Sequence, residues 1–310
     1  MNLIWRNGVK KSFMGIFASI AALFVSIVTA SAAEPGGWAI WHPTPVSKMM
    51  ESIEWFDAYT FWFIGPITLF VLGLLVIVYI RFNEKRNTVP STVTHNALIE
   101  IVWTALPIVI LIMIAIPSFD LLNRQLAPKA EPDMTIKATG YQWYWGYEYQ
   151  DGSEISFESV LIGREKFSNP SAAIEEREEY GKTDEAMYPY LLAVDNELVV
   201  PVGKTVRVLV TAEDVIHAFA MPSMGLKLDG VPGRMNETWF KAEREGIYYG
   251  QCSELCGKDH AYMPIAIRVV SDDQFAAWKA AAASDVDAAN KALMAAIDDA
   301  QASVNVAVKQ

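Results

Sequence analysis

The segment Lys204-Thr-Val-Arg-Val-Leu-Val210 places valine at every second position, an alternation that is typical of a strand with one buried face. Turn-forming residues at 201–203 separate it from the preceding apolar run. Similar short runs lie on both sides of it, at 134–139, 141–149, 155–159, 189–193, 197–200, 235–240, 247–250 and 264–270. Because many short strands separated by turns pack as a sandwich or a barrel, residues 126–271 are predicted to form an all-β domain.

Two segments depart from this pattern. Residues 163–187 interrupt the strands with an acidic stretch, which we expect to be a solvated insertion with helical character. Its acids include Glu175, Glu176, Glu178 and Glu179. Residues 272–310 are rich in alanine and contain neither glycine nor proline, so they predict a mostly helical, exposed tail.

The net charge of the chain resides in its second part. The 310 residues include 25 Lys and Arg against 36 Asp and Glu, which gives a net charge of −11. Residues 1–122 hold seven charges of each sign, so residues 123–310 carry 18 basic and 29 acidic side chains. An acidic domain of this kind repels nucleic acid and attracts a basic partner. The composition, which is 52% apolar, also excludes a disordered chain.

The beginning of the chain has the features of an export signal. An uncharged run of 18 residues at 13–30 follows three basic residues and ends in Ala30-Ser-Ala-Ala33. This order of basic, apolar and small residues predicts a signal peptide over residues 1–33 that is removed by cleavage. A run of 18 residues can also cross a bilayer, so a first membrane span is the alternative.

Two further uncharged runs, at 58–80 and 101–119, are each long enough to cross ~30 Å of hydrocarbon as a helix. They predict a transmembrane hairpin within residues 34–125, with spans at about 58–80 and 98–122. The loop between the spans carries three basic residues against Glu84 alone, whereas the segment before the first span is mostly acidic. The positive-inside rule therefore places the loop in the cytoplasm and the β domain outside the membrane.

The densest group of metal-binding side chains is Cys252-Ser-Glu-Leu-Cys256-Gly-Lys-Asp-His260-Ala-Tyr-Met263, with the spacing C-x₃-C-x₃-H-x₂-M. Thiolate, thioether and imidazole ligands together favour copper. A blue-copper site needs only one cysteine, and a second thiolate allows two coppers to be bridged, each with its own histidine. Of the other three histidines, only His217 lies in the predicted β domain, which makes it the candidate for the second imidazole.

Three other interpretations of this loop remain open. The two cysteines could form a disulfide in an oxidising compartment, or a Cys₂His₂ set could bind zinc, but neither of these uses Met263. A membrane-anchored periplasmic copper-delivery protein could carry one copper on the cysteines and a distant histidine, although a thioredoxin-like βαβ pattern would then be expected. The two cysteines form no C-x-x-C-H motif, which excludes covalently attached haem.

Four stretches together resemble cytochrome c oxidase subunit II, and the resemblance covers about residues 55–275. They are the loop at 252–263, Gly140-Tyr-Gln-Trp-Tyr-Trp-Gly-Tyr-Glu148, Glu100-Ile-Val-Trp103 and Pro222-Ser-Met-Gly-Leu-Lys-Leu-Asp-Gly-Val-Pro-Gly-Arg234. The resemblance implies a cupredoxin-like Greek-key β-sandwich on a two-helix transmembrane hairpin, with a dinuclear copper centre of the CuA kind. The implied copper ligands are His217, Cys252, Cys256, His260, Met263 and, through its backbone carbonyl, Glu254.

The same resemblance implies a function in respiration. The protein would accept electrons from cytochrome c through Trp143 and pass them to haem in subunit I of a proton-pumping oxidase that also contains subunit III. The Glu254 side chain would bind a magnesium ion shared with subunit I, and Glu100 would lie at the mouth of a proton pathway. The implied docking acids for cytochrome c are Glu148, Asp195, Asp214 and Glu158. The chain itself would hold no haem and would reside among the lipids of the bacterial inner membrane, with the copper domain in the periplasm.

Several of these residues also have simpler interpretations. If residues 141–149 form one strand, five aromatic side chains share one face, and most of them would then belong to a hydrophobic core. Each docking acid alone could be an ordinary surface charge. Glu100 could simply be an acid that the helix dipole favours near a helix N-terminus.

Overall fold

The computed structural model describes residues 40–126, 128 and 131–308, and it describes side chains as far as residue 297. The predicted signal peptide at 1–33 lies outside the described residues. Two long helices come first, α1 (Lys48–Arg81) and α2 (Ala97–Leu126). The strands and helices that follow are β1 (Met134–Tyr141), β2 (Tyr144–Tyr149), β3 (Ser156–Ser159), α3 (Pro170–Glu179), β4 (Leu198–Pro201), β5 (Thr205–Ala212), β6 (His217–Met221), β7 (Leu226–Gly230), β8 (Asn236–Lys241), β9 (Gly246–Gln251), β10 (Pro264–Val270), α4 (Asp272–Ala282) and α5 (Val286–Val308).

Helices α1 and α2 form the predicted hairpin. They have 34 and 30 residues, and in the described part of the chain they are the helices long and apolar enough to cross a membrane. Ser47 caps α1, because its hydroxyl accepts a hydrogen bond from the Met50 amide at 3.0 Å. The two helices contact each other where the Tyr59 hydroxyl donates to the Met113 carbonyl at 3.0 Å. Their outward side chains are almost all apolar and exposed, as a lipid environment requires.

The β strands form two packed layers. A five-stranded sheet has the order β3-β2-β1-β5-β8, a three-stranded sheet has the order β4-β10-β9, and β6 pairs with β7. The pairs β1/β5 and β4/β10 are parallel although each joins strands that are distant in sequence, which is how a Greek-key sandwich closes. Val206, Val208 and Val210 of β5 are buried in the hydrophobic core, as their alternation predicts. The predicted all-β, cupredoxin-like sandwich is confirmed.

Some predicted strands differ from the observed ones. The run 189–193 is a turn, in which the Leu192 and Ala193 amides donate to the Pro189 carbonyl. The run 141–149 is interrupted by a turn at 142–143, so Trp143 lies between β1 and β2. Strands β6 and β7 were missed from the sequence. Every residue of β6 is buried, so that strand has no polar alternation from which it could be predicted.

The tail is helical as predicted and most of its described side chains are exposed or half-buried, but one face of α4 and of the start of α5 packs against the β domain. A capping box between Ser271 and Gln274 begins α4. Trp278 is buried against the β domain, with its ring centroid 5.4 Å from that of Tyr149. Its indole nitrogen donates to Asn290 of α5 at 2.7 Å, so the two tail helices are fixed to each other as well. The alanine-rich composition predicts the helices but not their packing, which depends on a few apolar side chains such as Trp278 and Leu293.

The acidic insertion contains helix α3 and is joined to the β domain through buried charges. Lys182 and Arg268 both contact the carboxylate of Glu197, with Nζ–Oε1 and Nε–Oε2 distances of 3.0 and 2.6 Å. All three side chains are almost completely buried. Burial alone would raise the pKa of Glu197, but the two cations outweigh it and lower that pKa. The insertion is therefore solvated on α3 and firmly attached at its end.

We expect Glu197→Gln to destabilise the protein by roughly 3–5 kcal/mol, because two buried cations then lose their counterion. Thermal unfolding of the full chain in detergent measures the effect. The control is Glu185→Gln, which removes an exposed ion pair with Lys166 in the same insertion and should leave unfolding nearly unchanged. Equal melting temperatures for the two variants would contradict a structural role for this network.

Candidate metal centre

Four parts of the chain bring the candidate metal ligands together at one end of the sandwich. His217 is the first residue of β6, and both cysteines lie in the loop that follows β9. His260 begins a single 3₁₀ turn, His260–Tyr262, and Met263 precedes β10 directly. His217, Cys252, Cys256 and Met263 are buried. All the side chains that the resemblance implied as copper ligands therefore belong to one cluster.

The two sulfur atoms stand at the middle of the cluster. The Cys252 and Cys256 Sγ atoms are 3.9 Å apart, and both cysteines are free. A disulfide has an S–S distance of ~2.05 Å, so these thiols are placed as separate donors rather than as a bonded pair. Their Sγ atoms and a nitrogen of His217 all lie within 4.8 Å of one another, close enough for shared metal ligation.

Each sulfur has its own imidazole and its own weak donor. Cys252 Sγ lies 3.9 Å from His217 Nδ1 and 3.3 Å from the Glu254 carbonyl oxygen. Cys256 Sγ lies 3.5 Å from His260 Nδ1 and 3.5 Å from Met263 Sδ. This twofold arrangement fits soft metal ions such as copper, and it gives the thioether a place that a tetrahedral zinc site would not use.

His217 is held in one orientation from outside the cluster. Its Nε2 faces Asp214 Oδ1 at 2.9 Å, which leaves Nδ1 directed at Cys252. Asp214 is itself fixed by the Gln142 amide, which donates to Oδ2 at 2.7 Å. A carboxylate on the far nitrogen is the usual way in which a metal-binding histidine is oriented. Burial lowers the pKa of His217, but the thiol of Cys252 and the carboxylate of Asp214 outweigh it and raise that pKa.

The two thiols differ in acidity. Burial alone would raise the pKa of Cys252, but hydrogen bonds from His217 and from the backbone outweigh it and lower the pKa to about 6. Burial and then the neighbouring Cys252 raise the pKa of Cys256 to about 12. The surroundings therefore favour the thiolate form at Cys252 over Cys256, and a bound cation would favour loss of the proton from both thiols.

Trp143 lies against the metal loop. Its indole nitrogen donates to the Cys256 carbonyl at 3.3 Å, and the Gln142 side chain donates to the same oxygen at 2.7 Å. Trp143 is partly exposed, whereas Trp145, Tyr147 and Tyr149 are buried, so the core-strand interpretation holds for those three aromatics. The turn at 142–143 thus separates one tryptophan from the core and places it beside a candidate ligand.

The remaining predicted residues occupy varied surroundings. Glu148 forms an ion pair with Lys137 at 2.7 Å on β1, and Glu158 is exposed on β3. Asp195 is partly buried and accepts the Val160 amide at 2.7 Å, so its carboxylate holds a turn. Glu100 lies in the first turn of α2 and accepts the Asn96 amide at 3.0 Å, as an acid at a helix N-terminus does. The side chain of Glu254 is partly exposed beside the cluster.

Gly140 contributes to the site by leaving space for His217, a role that the sequence motif around it does not reveal. A Cβ atom built on Gly140 would lie 2.8 Å from two ring atoms of His217, so the imidazole occupies the space of the missing side chain. Sequence analysis likewise did not give Asp214 its role in orienting His217. Only the order Asp-Val-Ile-His at 214–217, in which a carboxylate lies three residues before the histidine, could have suggested it.

Fold and site together define a membrane-anchored β-sandwich protein with a cysteine–histidine cluster that could hold metal. The family model described as cytochrome c oxidase subunit II, periplasmic domain, matches residues 134–270, and the model of its transmembrane domain matches residues 35–121. The chain belongs to the cytochrome c oxidase subunit II family. Family membership and the two apolar helices make it a two-span membrane protein. The described residues form a β-sandwich rather than the βαβ pattern that a copper-delivery protein would be expected to have.

Several relatives span most of the chain. A probable cytochrome c oxidase subunit 2 of Rickettsia bellii is 48% identical over 258 residues, which are 83% of this chain and 88% of the relative. Cytochrome c oxidase subunit 2 of Cereibacter sphaeroides is 49% identical over 249 residues, which are 79% and 80% of the two chains. The crystal structure of the periplasmic domain of cytochrome oxidase subunit II from Bradyrhizobium japonicum covers 49% of this chain and 95% of its own, at 52% identity and a TM-score of 0.41.

We expect Gly140→Ala to weaken copper binding by about tenfold or more, because the new methyl group must displace the His217 ring. Copper affinity of the full chain in detergent, measured by competition with a chelator, tests this. The control is Gly73→Ala in α1, where an added Cβ meets nothing within 4 Å. Unchanged affinity in Gly140→Ala would mean that the position of His217 does not govern binding.

Proposed function

We propose that this chain is the electron-accepting subunit of a cytochrome c oxidase, which takes electrons from cytochrome c at a dinuclear copper centre and supplies them to haem in subunit I. Oxygen reduction to water and the coupled proton pumping then belong to the rest of the complex. The observation that carries the proposal is the twofold donor set, in which each cysteine sulfur has its own histidine and its own weak donor.

In this proposal the chain supplies a complete copper-binding set. Cys252 and Cys256 would each bridge two coppers, His217 and His260 would bind one each, and Met263 and the Glu254 carbonyl would be weak ligands. Two coppers bridged in this way would share one electron and so exchange electrons singly. The His217 side of the site is dry, because Trp145 and Phe219 are fully buried and the Trp145 ring centroid lies 6.1 Å from that of His217. Ligands that are held rigidly and shielded from water move little when the charge on the copper changes, which favours fast electron transfer.

Trp143 is the proposed point at which electrons arrive. Trp143 is partly exposed, and it donates a hydrogen bond directly to the carbonyl of Cys256, one of the proposed bridging ligands. A single residue therefore links the protein surface to the proposed copper site. An aromatic ring at this place shortens the gap between a docked haem edge and the copper. The backbone carbonyl of the bridging cysteine fixes the ring, so the path has few mobile atoms.

The proposed docking surface for cytochrome c consists of Glu148, Glu158, Asp195 and Asp214. Glu148 and Glu158 lie on the paired strands β2 and β3, and Asp214 contacts Gln142, which directly precedes Trp143. Asp195 contributes charge from a partly buried position, since its carboxylate is engaged with the backbone. Such acids would steer a basic partner and set its orientation rather than supply most of the affinity.

The remaining assignments concern the membrane and the other subunits. We place the β domain in the periplasm and the chain in the bacterial inner membrane, because the loop between α1 and α2 is basic and the segment before α1 is acidic. Subunits I and III and lipid would cover the exposed apolar faces of the hairpin. The Glu254 side chain would reach a magnesium ion shared with subunit I, and Glu100 would lie at the cytoplasmic opening of a proton pathway. Residues 1–33 would be removed on export.

Copper-loaded full chain in detergent should contain two coppers, with an electron paramagnetic resonance spectrum in which one electron couples equally to both nuclei. Copper analysis and the hyperfine pattern measure this directly. Cys256→Ser removes one bridge and should give the spectrum of an isolated copper ion, whereas Ser253→Ala in the same loop should retain the shared electron. One copper per wild-type chain with an isolated-ion spectrum would overturn the proposal in favour of a copper-delivery protein.

In the assembled oxidase, Trp143→Phe should slow electron transfer from reduced cytochrome c by at least about tenfold with copper content unchanged, a barrier increase of roughly 1.4 kcal/mol. Trp239→Phe, a matched substitution near α2, should leave this rate unaltered. Stopped-flow oxidation of cytochrome c measures the rate for each variant.

The bimolecular rate of cytochrome c oxidation by the wild-type oxidase should fall as ionic strength rises, because salt screens the docking acids. A wild-type rate that does not change with salt concentration would contradict the proposed acidic docking surface.

A further inference from the structure

The acidic insertion reaches the metal loop through one side chain, Arg164. Its guanidinium donates from Nη2 to Asp259 Oδ1 at 2.8 Å, and its Cζ atom lies 4.4 Å from the centre of the Tyr262 ring. Asp259 and Tyr262 are the residues on the two sides of the His260-Ala261 step in the 3₁₀ turn. Arg164 therefore spans the turn that carries one of the candidate copper ligands.

The turn itself has few internal bonds. The His260 amide donates to the Gly257 carbonyl at 3.3 Å, and the Tyr262 amide donates to the Asp259 carbonyl at 2.8 Å. A 3₁₀ segment of three residues has weak hydrogen-bond geometry and needs contacts from its side chains to hold one conformation. Asp259 supplies such a contact from a side chain that is only 11% exposed, although the Arg164 side chain that meets it is 48% exposed and the pair is partly screened.

Arg164 is fixed from the other side as well. Its backbone carbonyl accepts the Tyr190 hydroxyl at 3.2 Å. The amide of the preceding Gly163 donates to the Glu176 carboxylate of α3 at 2.8 Å. The far end of the insertion is attached by the buried Lys182–Glu197 pair. A side chain held at such a base can position another element, whereas a freely moving arginine could not.

We infer that Arg164 is a positioning residue for the copper centre, which holds the 259–262 turn and thereby keeps His260 directed at Cys256. The inference rests on the proposed copper function of this site. A guanidinium suits the role, because its planar fork binds a carboxylate while its face stacks on an aromatic ring. The inference also assigns a role to the acidic insertion, which would hold the metal loop in position through Arg164.

The test compares Arg164→Ala, Arg164→Lys and Lys166→Ala in the full chain, loaded with copper in detergent. Lys166 is the matched control, because it pairs with Glu185 within the insertion and not with the loop. Changes to groups that orient metal ligands typically cost 10–100-fold in affinity, and Arg164 acts one contact further out, so we expect copper loss to a chelator to be about 3- to 10-fold faster in Arg164→Ala. The copper hyperfine pattern should change as well, Arg164→Lys should recover much of both properties, and Lys166→Ala should match wild type.

A double-mutant cycle separates the specific contact from a general loosening of the fold. Asp259→Asn should accelerate copper loss, and adding it to Arg164→Ala should produce little further effect if the two side chains act through each other. Wild-type loss rates and hyperfine pattern in Arg164→Ala would overturn the inference, as would equal effects of Arg164→Ala and Lys166→Ala. If the wild-type chain held no pair of coppers, the proposed function would fail first, so the two failures are distinguishable.

Discussion

The close approach of β6 to its neighbouring strands is the constraint on which the metal centre depends. On one side, His217 fills the space where Gly140 of β1 lacks a side chain. On the other, a Cβ atom on Gly250 of β9 would lie 1.9 Å from the Ala220 carbonyl oxygen. No side chain fits at either glycine. Strand β6 is therefore held close to both β1 and β9, and its first residue meets the loop that follows Gln251 at the end of β9.

This placement explains why the donors need little rearrangement to bind metal. His217 comes from a buried strand, and both cysteines follow within six residues of a glycine that touches the same strand. Asp214 orients the imidazole from outside, and hydrogen bonds from His217 and from the backbone lower the pKa of Cys252 to about 6. Neighbouring groups therefore orient the imidazole of His217 and favour the thiolate form of Cys252, as groups around metal ligands commonly do.

Much of the fold could be predicted from the sequence, because alternation and uninterrupted apolar length are local signals. The valines of β5 and the two spans are examples. Strand β6 could not be predicted in this way, since all five of its residues are buried and the signal of alternation vanishes. The turn at 142–143 was hidden for the opposite reason, because aromatic residues continue the alternation through it. Packing of the tail was missed because its few core residues, of which Trp278 is the largest, are scattered among alanines that make the helices look exposed.

The ligand loop was visible as a pattern of spacing, but the roles of its neighbours were not, and Asp214 shows why. Sequence placed it among acids that meet a basic partner, whereas its carboxylate binds both the His217 ring and the Gln142 amide. Both roles are compatible, since its side chain is 32% exposed and one carboxylate can orient a buried ring while adding to the surface field. They are nevertheless not separable at that residue, because loss of the carboxylate alters the ligand and the docking surface together. Glu158 is exposed on the edge strand β3, so it is the proposed docking acid at which charge can be varied without altering the orientation of His217.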